Sequence, residues 1–208
     1  MFILPSKGAL NPIPMSKQAL IPLSNLILYN TMELSGGPTK DEVMAISLFK
    51  LGLLEGDIFA DIGCGTGKIS IAVSHRASMI YAIDRRKDAI EIAREKAERT
   101  GIENIQFFHG EAVDFLPTID QLDCAFVGGS GNLERVLRIL HTLGTRSIVV
   151  NAVKVETLHL AITTMEQLGI FKEAVHVQVS RSSPLAGGTM FRPIDPVYII
   201  VGGTQVCS

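Results

Sequence analysis

The sequence is poor in cysteine, aromatic residues and net charge. Its 208 residues include three cysteines, Cys64, Cys124 and Cys207, and no C-x-x-C pair. This pattern encodes neither a disulfide framework nor a zinc site, and it predicts a reducing, cytoplasmic location. Tryptophan is absent, aromatic residues make up 6%, and the formal net charge is -2. These values argue against a stacking or basic surface for nucleic acid, although a local basic patch stays open.

Long apolar runs are lacking as well. No run approaches the roughly 20 residues that a helix needs to cross a bilayer, so no membrane partner is predicted. The amino-terminal stretch is apolar, but four prolines interrupt it and no cationic segment precedes it. It therefore does not fit a secretory signal peptide. We expect residues 1–33 to be a non-secretory extension of unknown role, and residues 34–208 to form the functional domain.

From residue 36 onward, short apolar runs alternate with helical patterns. This alternation predicts an α/β domain with a Rossmann-like, doubly wound sheet of seven strands that is mostly parallel. No helical pattern separates the last two strands, so we expect them to pair as a carboxyl-terminal antiparallel hairpin. The predicted strands are residues 58–62, 79–83, 105–108, 124–127, 147–150, 175–179 and 197–201.

Helix signals lie between these strands and upstream of them. Four segments carry apolar residues at helical spacing, and three of them end at a glycine expected to cap the helix: Gly101, Gly144 and Gly169. Upstream, the sequence predicts a helix with Thr39 as its N-cap and Glu42 three residues later, as in a capping box.

The segment "DIGCGTGKIS", residues 61–70, follows the first strand and opens a helix. A phosphate-binding Walker loop would need Gly in place of Ile62 and Ser or Thr in place of Ile69. A dinucleotide fingerprint would need the spacing G-x-G-x-x-G, whereas Lys68 occupies the position of the third glycine. Both of these readings therefore fail for this loop.

Two carboxylates favour a different adenosine cofactor. Asp84 ends the second strand, 21 residues after Gly63, which is about the offset that places a carboxylate on ribose hydroxyls. Asp61 lies two residues before Gly63, where its charge would repel a pyrophosphate but attract an ammonium and a sulfonium. The pattern resembles class I methyltransferases that use S-adenosylmethionine. A bare structural turn is the less favoured reading, because a turn needs one glycine rather than three.

The fourth strand is followed by Gly128, Gly129, Ser130 and Gly131. This turn offers no aromatic side chain to stack a flipped base and no amide side chain to hold an amine. Its backbone N–H groups stand before a helix and suit carboxylates. We therefore expect Gly129 and Ser130 to contact an anionic substrate.

Four segments together are similar to one methyltransferase family. They are "GGPTKDEV", "DIGCGTGKISI", "GEAVDFL" and "FVGGSGN", and the similarity runs from about residue 34 to residue 203. The family they resemble is that of cobalt-precorrin-6B C15-methyltransferases (decarboxylating) of anaerobic cobalamin biosynthesis. Its members methylate carbon-15 with S-adenosylmethionine and decarboxylate the carbon-12 acetate side chain, which gives cobalt-precorrin-7.

The resemblance implies a cofactor site and a homotetramer. Asp84 takes the ribose hydroxyls and Ala112 lies beside the adenine. The remaining residues implied at the site, together with Asp61, are Thr39, Gly63, Cys64, Gly65, Thr66 and Gly67. The residues expected to carry the chemistry stay unknown, and no metal is predicted, because the five histidines lack ligand spacing.

Two arginines near the carboxyl terminus are candidates for substrate binding. We hypothesise that Arg181 and Arg192 meet substrate carboxylates, since the guanidinium fork matches carboxylate geometry. Solvent exposure of both side chains is an equally good reading. Two other functions stay open: an RNA or protein methyltransferase of the same fold, and a cofactor-binding protein without catalysis.

Overall fold

The computed structural model describes residues 39–129 and 131–204. The predictions made for residues 1–33 and for Ser130 lie outside the described residues. Within them the helices are α1 Asp41–Leu51, α2 Lys68–Val73, α3 Lys87–Arg99, α4 Ala112–Phe115, α5 Leu133–Thr142 and α6 Val155–Gln167. The strands are β1 Ile58–Ile62, β2 Met79–Asp84, β3 Ile105–His109, β4 Cys124–Val127, β5 Ser147–Ala152, β6 Phe171–Val177, β7 Ser180–Leu185, β8 Gly188–Pro193 and β9 Val197–Gly202.

Seven of the strands form one sheet, in the order β3-β2-β1-β4-β5-β9-β6. Strands β1 to β5 are parallel, whereas β9 runs antiparallel to both β5 and β6. The predicted sheet, mostly parallel with a carboxyl-terminal antiparallel pair, is therefore confirmed. The chain reverses its direction of travel across the sheet between β1 and β4, which leaves a crevice at their carboxyl ends.

Helices cover both faces of the sheet. On one face α4, α5 and α6 enclose the larger core, in which Leu137, Leu140, Ile148 and Met165 are fully buried. On the other face α1 packs against β4, β5 and β9, while α3 packs against β2 and β3. Burial on both faces explains why the central strands are continuous apolar runs rather than alternating ones.

The predicted strand positions agree with the sheet, with small differences at the ends. The strands at residues 58–62 and 124–127 match β1 and β4 at both ends. The strand predicted at residues 175–179 is instead β6, Phe171–Val177, which begins four residues earlier. This start was missed because Lys172 and Glu173 are polar residues on an edge strand. The three predicted cap glycines all adopt positive φ at helix ends.

The segment between β6 and β9 is not an open loop. Strands β7 and β8 pair antiparallel as a separate two-stranded ribbon, with Arg181 opposite Arg192. Most of its side chains are exposed, but Ser183 and Met190, which share the face of the two arginines, are half-buried. The ribbon was not predicted because its strands are rich in serine, glycine and proline.

The predicted capping box at α1 is wrong. The N-cap is Lys40, and its side chain makes no capping hydrogen bond. Glu42 turns its carboxylate to Arg181 of the ribbon instead. A charged guanidinium is a stronger partner for this carboxylate than a backbone N–H at the helix start.

Candidate cofactor site

A cavity of about 430 Å³ opens at the carboxyl ends of β1, β2 and β4. Most of the residues predicted at the cofactor site line it: Thr39, Asp61, Gly63, Cys64, Gly65, Thr66, Asp84 and Ala112. Gly129, predicted to contact substrate, lines it too, whereas Gly67, Arg181 and Arg192 are not among its lining residues. The glycine loop, the end of β2 and the turn after β4 therefore share one cavity, of a size usual for small-molecule sites.

Gly63 brings the glycine loop against the turn after β4. The backbone N–H groups of Gly63 and Cys64 both donate to the carbonyl oxygen of Ile83, at 2.8 and 3.0 Å, which fixes the loop to β2. A Cβ atom on Gly63 would lie 2.9 Å from the backbone nitrogen of Gly129. Only glycine fits this approach, since the clashing atoms belong to the backbone.

Gly67, predicted to contact the cofactor, shapes the glycine loop. It is the N-cap of α2, with φ of 75°, and its own N–H donates to the carbonyl oxygen of Cys64 at 2.9 Å. A Cβ atom there would come within 3.0 Å of the Cβ of Ala93 on α3. Gly67 therefore closes the loop and lets α2 pack on α3, without lining the cavity.

Asp61 is fully buried in the wall of the cavity. Its Oδ2 atom accepts hydrogen bonds from the backbone N–H of Ser70, at 3.0 Å, and from the Ser70 hydroxyl, at 2.6 Å. Its Oδ1 atom is buried and has no hydrogen-bond partner. Burial raises the pKa of Asp61 to about 6, and the charge of Asp84 adds to the rise. An unpartnered carboxylate oxygen in a cavity wall suits a cationic donor on a ligand.

Asp84 is held by hydrogen bonds on both oxygens. Oδ2 accepts from the backbone N–H of Gly65 at 2.9 Å, and Oδ1 accepts from the backbone N–H of Arg86 at 2.9 Å. The Arg86 guanidinium also contacts the carboxylate, with Nε 3.2 Å from Oδ1. Burial pushes the pKa of Asp84 up, but the hydrogen bonds from Arg86 and Gly65 outweigh it and hold the pKa below its usual range. Asp84 is thus an ionised acceptor at the cavity edge.

The lysine of the GTGK sequence is engaged by protein oxygens. Lys68 Nζ donates to the carbonyl oxygen of Thr39 at 2.6 Å and to Oδ1 of Asp41 at 2.5 Å. Both partners lie at the start of α1. Lys68 therefore fastens the glycine loop to α1, which agrees with the rejection of a Walker loop.

The rim of the cavity contains charged residues that sequence reasoning missed. Oε1 of Glu111 lies 3.5 Å from Nη1 of Arg85, and Oε2 of Glu111 accepts a hydrogen bond from Nδ2 of Asn132 at 3.2 Å. It thereby links the ends of β2 and β3 to the start of α5. His109 Nε2 donates to the carbonyl oxygen of Arg85 at 3.0 Å. The "DRR" sequence that ends β2 was the available signal, since Arg85 and Arg86 both line the cavity, but spacing alone does not tell which partners their side chains reach.

Cys64 does not have the character of a nucleophile. The side chain is buried, and burial raises the pKa of its thiol well above the usual range. A protonated thiol beside two carboxylates is a poor nucleophile. The described residues, 39–129 and 131–204, contain no group of three or more potential metal ligands.

The two candidate arginines lie on the ribbon, directly opposite one another. Arg181 donates from Nε and Nη2 to the two oxygens of Glu42, at 2.8 and 2.6 Å. Its guanidinium fork is therefore occupied by a protein carboxylate. Among the described ion pairs none involves Arg192, which shares a ribbon face with Arg181.

Known proteins match this chain over most of its length. Residues 30–202 match the family model described as precorrin methyltransferase domain. A protein of Methanosarcina acetivorans, named probable cobalt-precorrin-6B C(15)-methyltransferase (decarboxylating), is 52% identical over 179 residues, which cover 84% of this chain and 97% of the relative. The chain belongs to the precorrin methyltransferase family. The resemblance drawn from four sequence segments is thereby confirmed.

Solved structures of the family share the fold. The X-ray structure of precorrin 8W decarboxylase from Methanobacterium thermoautotrophicum superposes with a TM-score of 0.78 at 31% identity, covering 83% of this chain and 96% of that one. The structure of precorrin-6Y C5,15-methyltransferase from Geobacter metallireducens gives 0.75 at 30% identity, covering 80% and 90%. The predicted Rossmann-like α/β class is confirmed. Within residues 39–129 and 131–204, no helix has the length and apolar character to cross a membrane.

Proposed function

We propose that this chain methylates carbon-15 of cobalt-precorrin-6B with S-adenosylmethionine and decarboxylates the carbon-12 acetate side chain, giving cobalt-precorrin-7 in anaerobic cobalamin biosynthesis. The observation that carries this proposal is the 52% identity to the Methanosarcina acetivorans relative, across 97% of that protein. Identity that spans nearly the whole relative includes the substrate side as well as the cofactor loop, and this favours a shared substrate.

The residues of the cavity fit S-adenosylmethionine. The cofactor carries an ammonium group, and Asp61 Oδ1 is a buried acceptor without a protein partner. Asp84 offers an ionised carboxylate for the ribose hydroxyls, in exchange for part of its contact with Arg86. Ala112 is small and lines the cavity, which leaves room for the adenine. Thr39 and the glycine loop from Gly63 to Thr66 complete the proposed binding residues.

The protein's contribution to methyl transfer is binding and orientation. When bound, S-adenosylmethionine would supply a methyl group on a positively charged sulfur: the ring carbon would bond to the methyl carbon as the methyl–sulfur bond breaks and S-adenosylhomocysteine leaves. The close approach of Gly63 to Gly129 makes this part of the cavity wall from backbone rather than side chains, which gives the cofactor a fixed surface to bind against. In this proposal Asp61 holds the amino-acid end of the cofactor and Asp84 holds its ribose. The conjugated ring of the substrate can itself delocalise the electron pair released by decarboxylation, so no further cofactor need supply that function.

The substrate carries many carboxylates, and cationic side chains suit them. Arg85 is exposed at the rim, and Arg192 stands on the ribbon face shared with Arg181. We assign carboxylate binding to Arg192 and to the turn at Gly129 and Ser130. Arg181 is already paired with Glu42, so its part in substrate binding is indirect.

Turnover with purified protein tests the proposal. We expect S-adenosylhomocysteine and carbon dioxide to appear together when cobalt-precorrin-6B and S-adenosylmethionine are supplied. Demethylated cofactor without carbon dioxide would contradict the decarboxylating activity. Turnover of RNA or a protein acceptor in place of the tetrapyrrole would support that alternative, and cofactor binding without any turnover would support a non-catalytic protein.

Arg192 offers a specific test of substrate binding. Replacing it as Arg192→Gln removes one charged contact with a carboxylate, typically worth about 1.5–3 kcal/mol. We expect KM for the tetrapyrrole to rise by roughly 10- to 100-fold, while the affinity for S-adenosylmethionine stays unchanged. An unaltered KM would remove Arg192 from the substrate site.

The finer expectations belong to the same proposal. We infer a cytoplasmic homotetramer in which residues 34–208 form the methyltransferase domain and residues 1–33 an extension. Leu185 and Phe191 on the ribbon are 53% and 69% exposed, which favours burial of this ribbon between subunits. Mass photometry of the purified protein measures the number of subunits directly, and a monomer would contradict this expectation.

A further inference from the structure

The first turn of α1 contacts two parts of the molecule that are distant in sequence. Asp41 accepts a hydrogen bond at 2.5 Å from Lys68, at the end of the glycine loop. Glu42, the next residue, accepts hydrogen bonds on both oxygens from Arg181 of the ribbon, 139 residues later. One helical turn thus joins the cofactor loop to the β7–β8 ribbon. We call Asp41, Glu42, Lys68 and Arg181 the α1 bridge.

The ribbon has few other attachments. Its strands belong to a separate two-stranded sheet, and an isolated pair of strands is only marginally stable by itself. Ten of its twelve residues are exposed and the other two, Ser183 and Met190, are half-buried. Within the described part of the chain, Arg181 is the ribbon residue whose side chain hydrogen-bonds to another element. At its base the ribbon is continuous with β6 and β9, and the backbone N–H of Ile194 donates to the carbonyl oxygen of Val179 at 2.9 Å. Beyond this base, the Glu42–Arg181 pair is the described side-chain hydrogen bond that holds the ribbon to the rest of the subunit.

The Glu42–Arg181 pair has the geometry of a strong surface ion pair. Both carboxylate oxygens are engaged, by Nε at 2.8 Å and by Nη2 at 2.6 Å. Hydrogen bonding to Arg181 lowers the pKa of Glu42 to about 2, so the carboxylate is ionised over the whole range in which enzymes work. Paired, two-point contacts are the exception among surface ion pairs, most of which contribute little.

The ribbon carries the proposed substrate residue. Arg192 is directly opposite Arg181, and directly opposed residues of an antiparallel pair project from the same face. Fixing Arg181 therefore fixes Arg192 as well. Lys68 lines the cofactor cavity and contacts the same turn of α1. The first turn of α1 therefore holds both the cofactor loop and the ribbon that carries Arg192.

We propose that Glu42 is a positioning residue for methyl transfer: through Arg181 it holds the β7–β8 ribbon, and with it Arg192, in place beside the cofactor loop that Asp41 holds through Lys68. This inference rests on the proposed function for its role in catalysis. The mechanical part, that the ion pair fixes the ribbon, does not depend on the identity of the substrate.

Hydrogen exchange of the full-length protein tests the mechanical part. The variants are Glu42→Gln, Arg181→Gln and the double variant, with Glu134→Gln as the matched control. Glu134 pairs with Arg138 on α5 at 2.9 Å in a similarly exposed ion pair that involves no ribbon residue. We expect amides of residues 182–190 to exchange about two- to fivefold faster in each Gln variant, and unchanged in the control. The double variant should match the single ones, since they remove the same interaction.

The salt dependence of hydrogen exchange is a second test, because exchange rates would not depend on salt in this way if Glu42 acted only by packing. In about 1 M NaCl the ion pair is screened, so the ribbon of the unaltered protein should exchange almost as fast as that of Glu42→Gln. Equal ribbon protection in the unaltered protein and in Glu42→Gln, at low salt, would overturn the inference. Far-ultraviolet circular dichroism of each variant checks that the fold is kept.

Kinetics tests the catalytic part. We expect Glu42→Gln to raise KM for cobalt-precorrin-6B by about two- to fivefold, the same factor by which amide exchange in the ribbon becomes faster. The kcat and the Kd for S-adenosylmethionine should stay the same. A loosened ribbon with unchanged KM would overturn the positioning role. If the unaltered protein does not turn over this substrate, the proposed function fails, whereas the exchange experiment still decides whether Glu42 fixes the ribbon.

Discussion

Replacing Asp61 with asparagine separates its cost to folding from its value in cofactor binding. The variant keeps the size and shape of the side chain, and the amide oxygen can still accept from the N–H and the hydroxyl of Ser70. What it removes is the negative charge on a fully buried group. Asp61→Asn therefore mimics the protonated carboxyl at every pH.

The magnitude follows from the pKa. Burial raises the pKa of Asp61 from 3.8 to about 6. The folded protein therefore holds this proton more tightly than the unfolded chain does. The stability from this group is fully present below about pH 4 and is lost as pH rises through 6, with a total cost near neutrality of about 3 kcal/mol.

The assay is urea unfolding of the protein without cofactor, at about pH 4 and about pH 8. We expect the free energy of unfolding of Asp61→Asn to rise relative to the unaltered protein by roughly 2.5 kcal/mol between these two pH values. This corresponds to about 5–10 °C in Tm for a domain of this size. Comparing the difference at two pH values cancels the constant cost of burying the amide. Asp120→Asn, at an exposed carboxyl, is the matched control and should show no such change.

Cofactor binding should move in the opposite direction. The ionised Asp61 is the form that accepts from an ammonium group, so Asp61→Asn should weaken S-adenosylmethionine binding at about pH 8. Binding to the unaltered protein should weaken as pH falls below 6, and isothermal titration calorimetry measures both effects. A variant with no relative gain in stability between the two pH values would refute the argument that burial controls this carboxyl.

Three further predictions concern the same cavity. Gly63→Ala should destabilise the protein by at least about 1 kcal/mol more than Gly101→Ala, because both positions have positive φ but only the first places a Cβ atom against Gly129; thermal unfolding measures this. Asp84→Asn should weaken S-adenosylhomocysteine binding by roughly 10- to 100-fold in calorimetric titration, and equal affinity would exclude the ribose role. Iodoacetamide should leave Cys64 unmodified in the native protein and label it in urea, as followed by mass spectrometry, since burial keeps the thiol protonated.

The strands of the seven-stranded sheet and the glycine loop were predictable because their signals are local. A buried parallel strand is a short apolar run, and the loop between β1 and α2 needs glycine where backbones meet. The positions of Asp61 and Asp84 followed from the same pattern, since both stand at fixed offsets from Gly63. Their side chains do line one cavity in the structure.

The contacts between segments that are distant in the sequence were not predictable. Glu42 stands at the right distance from Thr39 for a capping box, yet it pairs with Arg181, 139 residues away. Gly67 belongs to the glycine pattern, yet its role is to let α2 pack against Ala93. In both cases the partner comes from a distant part of the chain, and no local pattern specifies which partner a side chain reaches.

The sequence by itself determined the fold class, the family and the position of the cofactor loop, because each depends on residue order and spacing along one segment. Tertiary structure alone decided that Asp61 keeps an unpartnered oxygen, that Lys68 and Arg181 meet neighbouring residues of α1, and that β7 and β8 form a ribbon. Burial and charge pairing depend on which distant segments come together, and chain packing sets that.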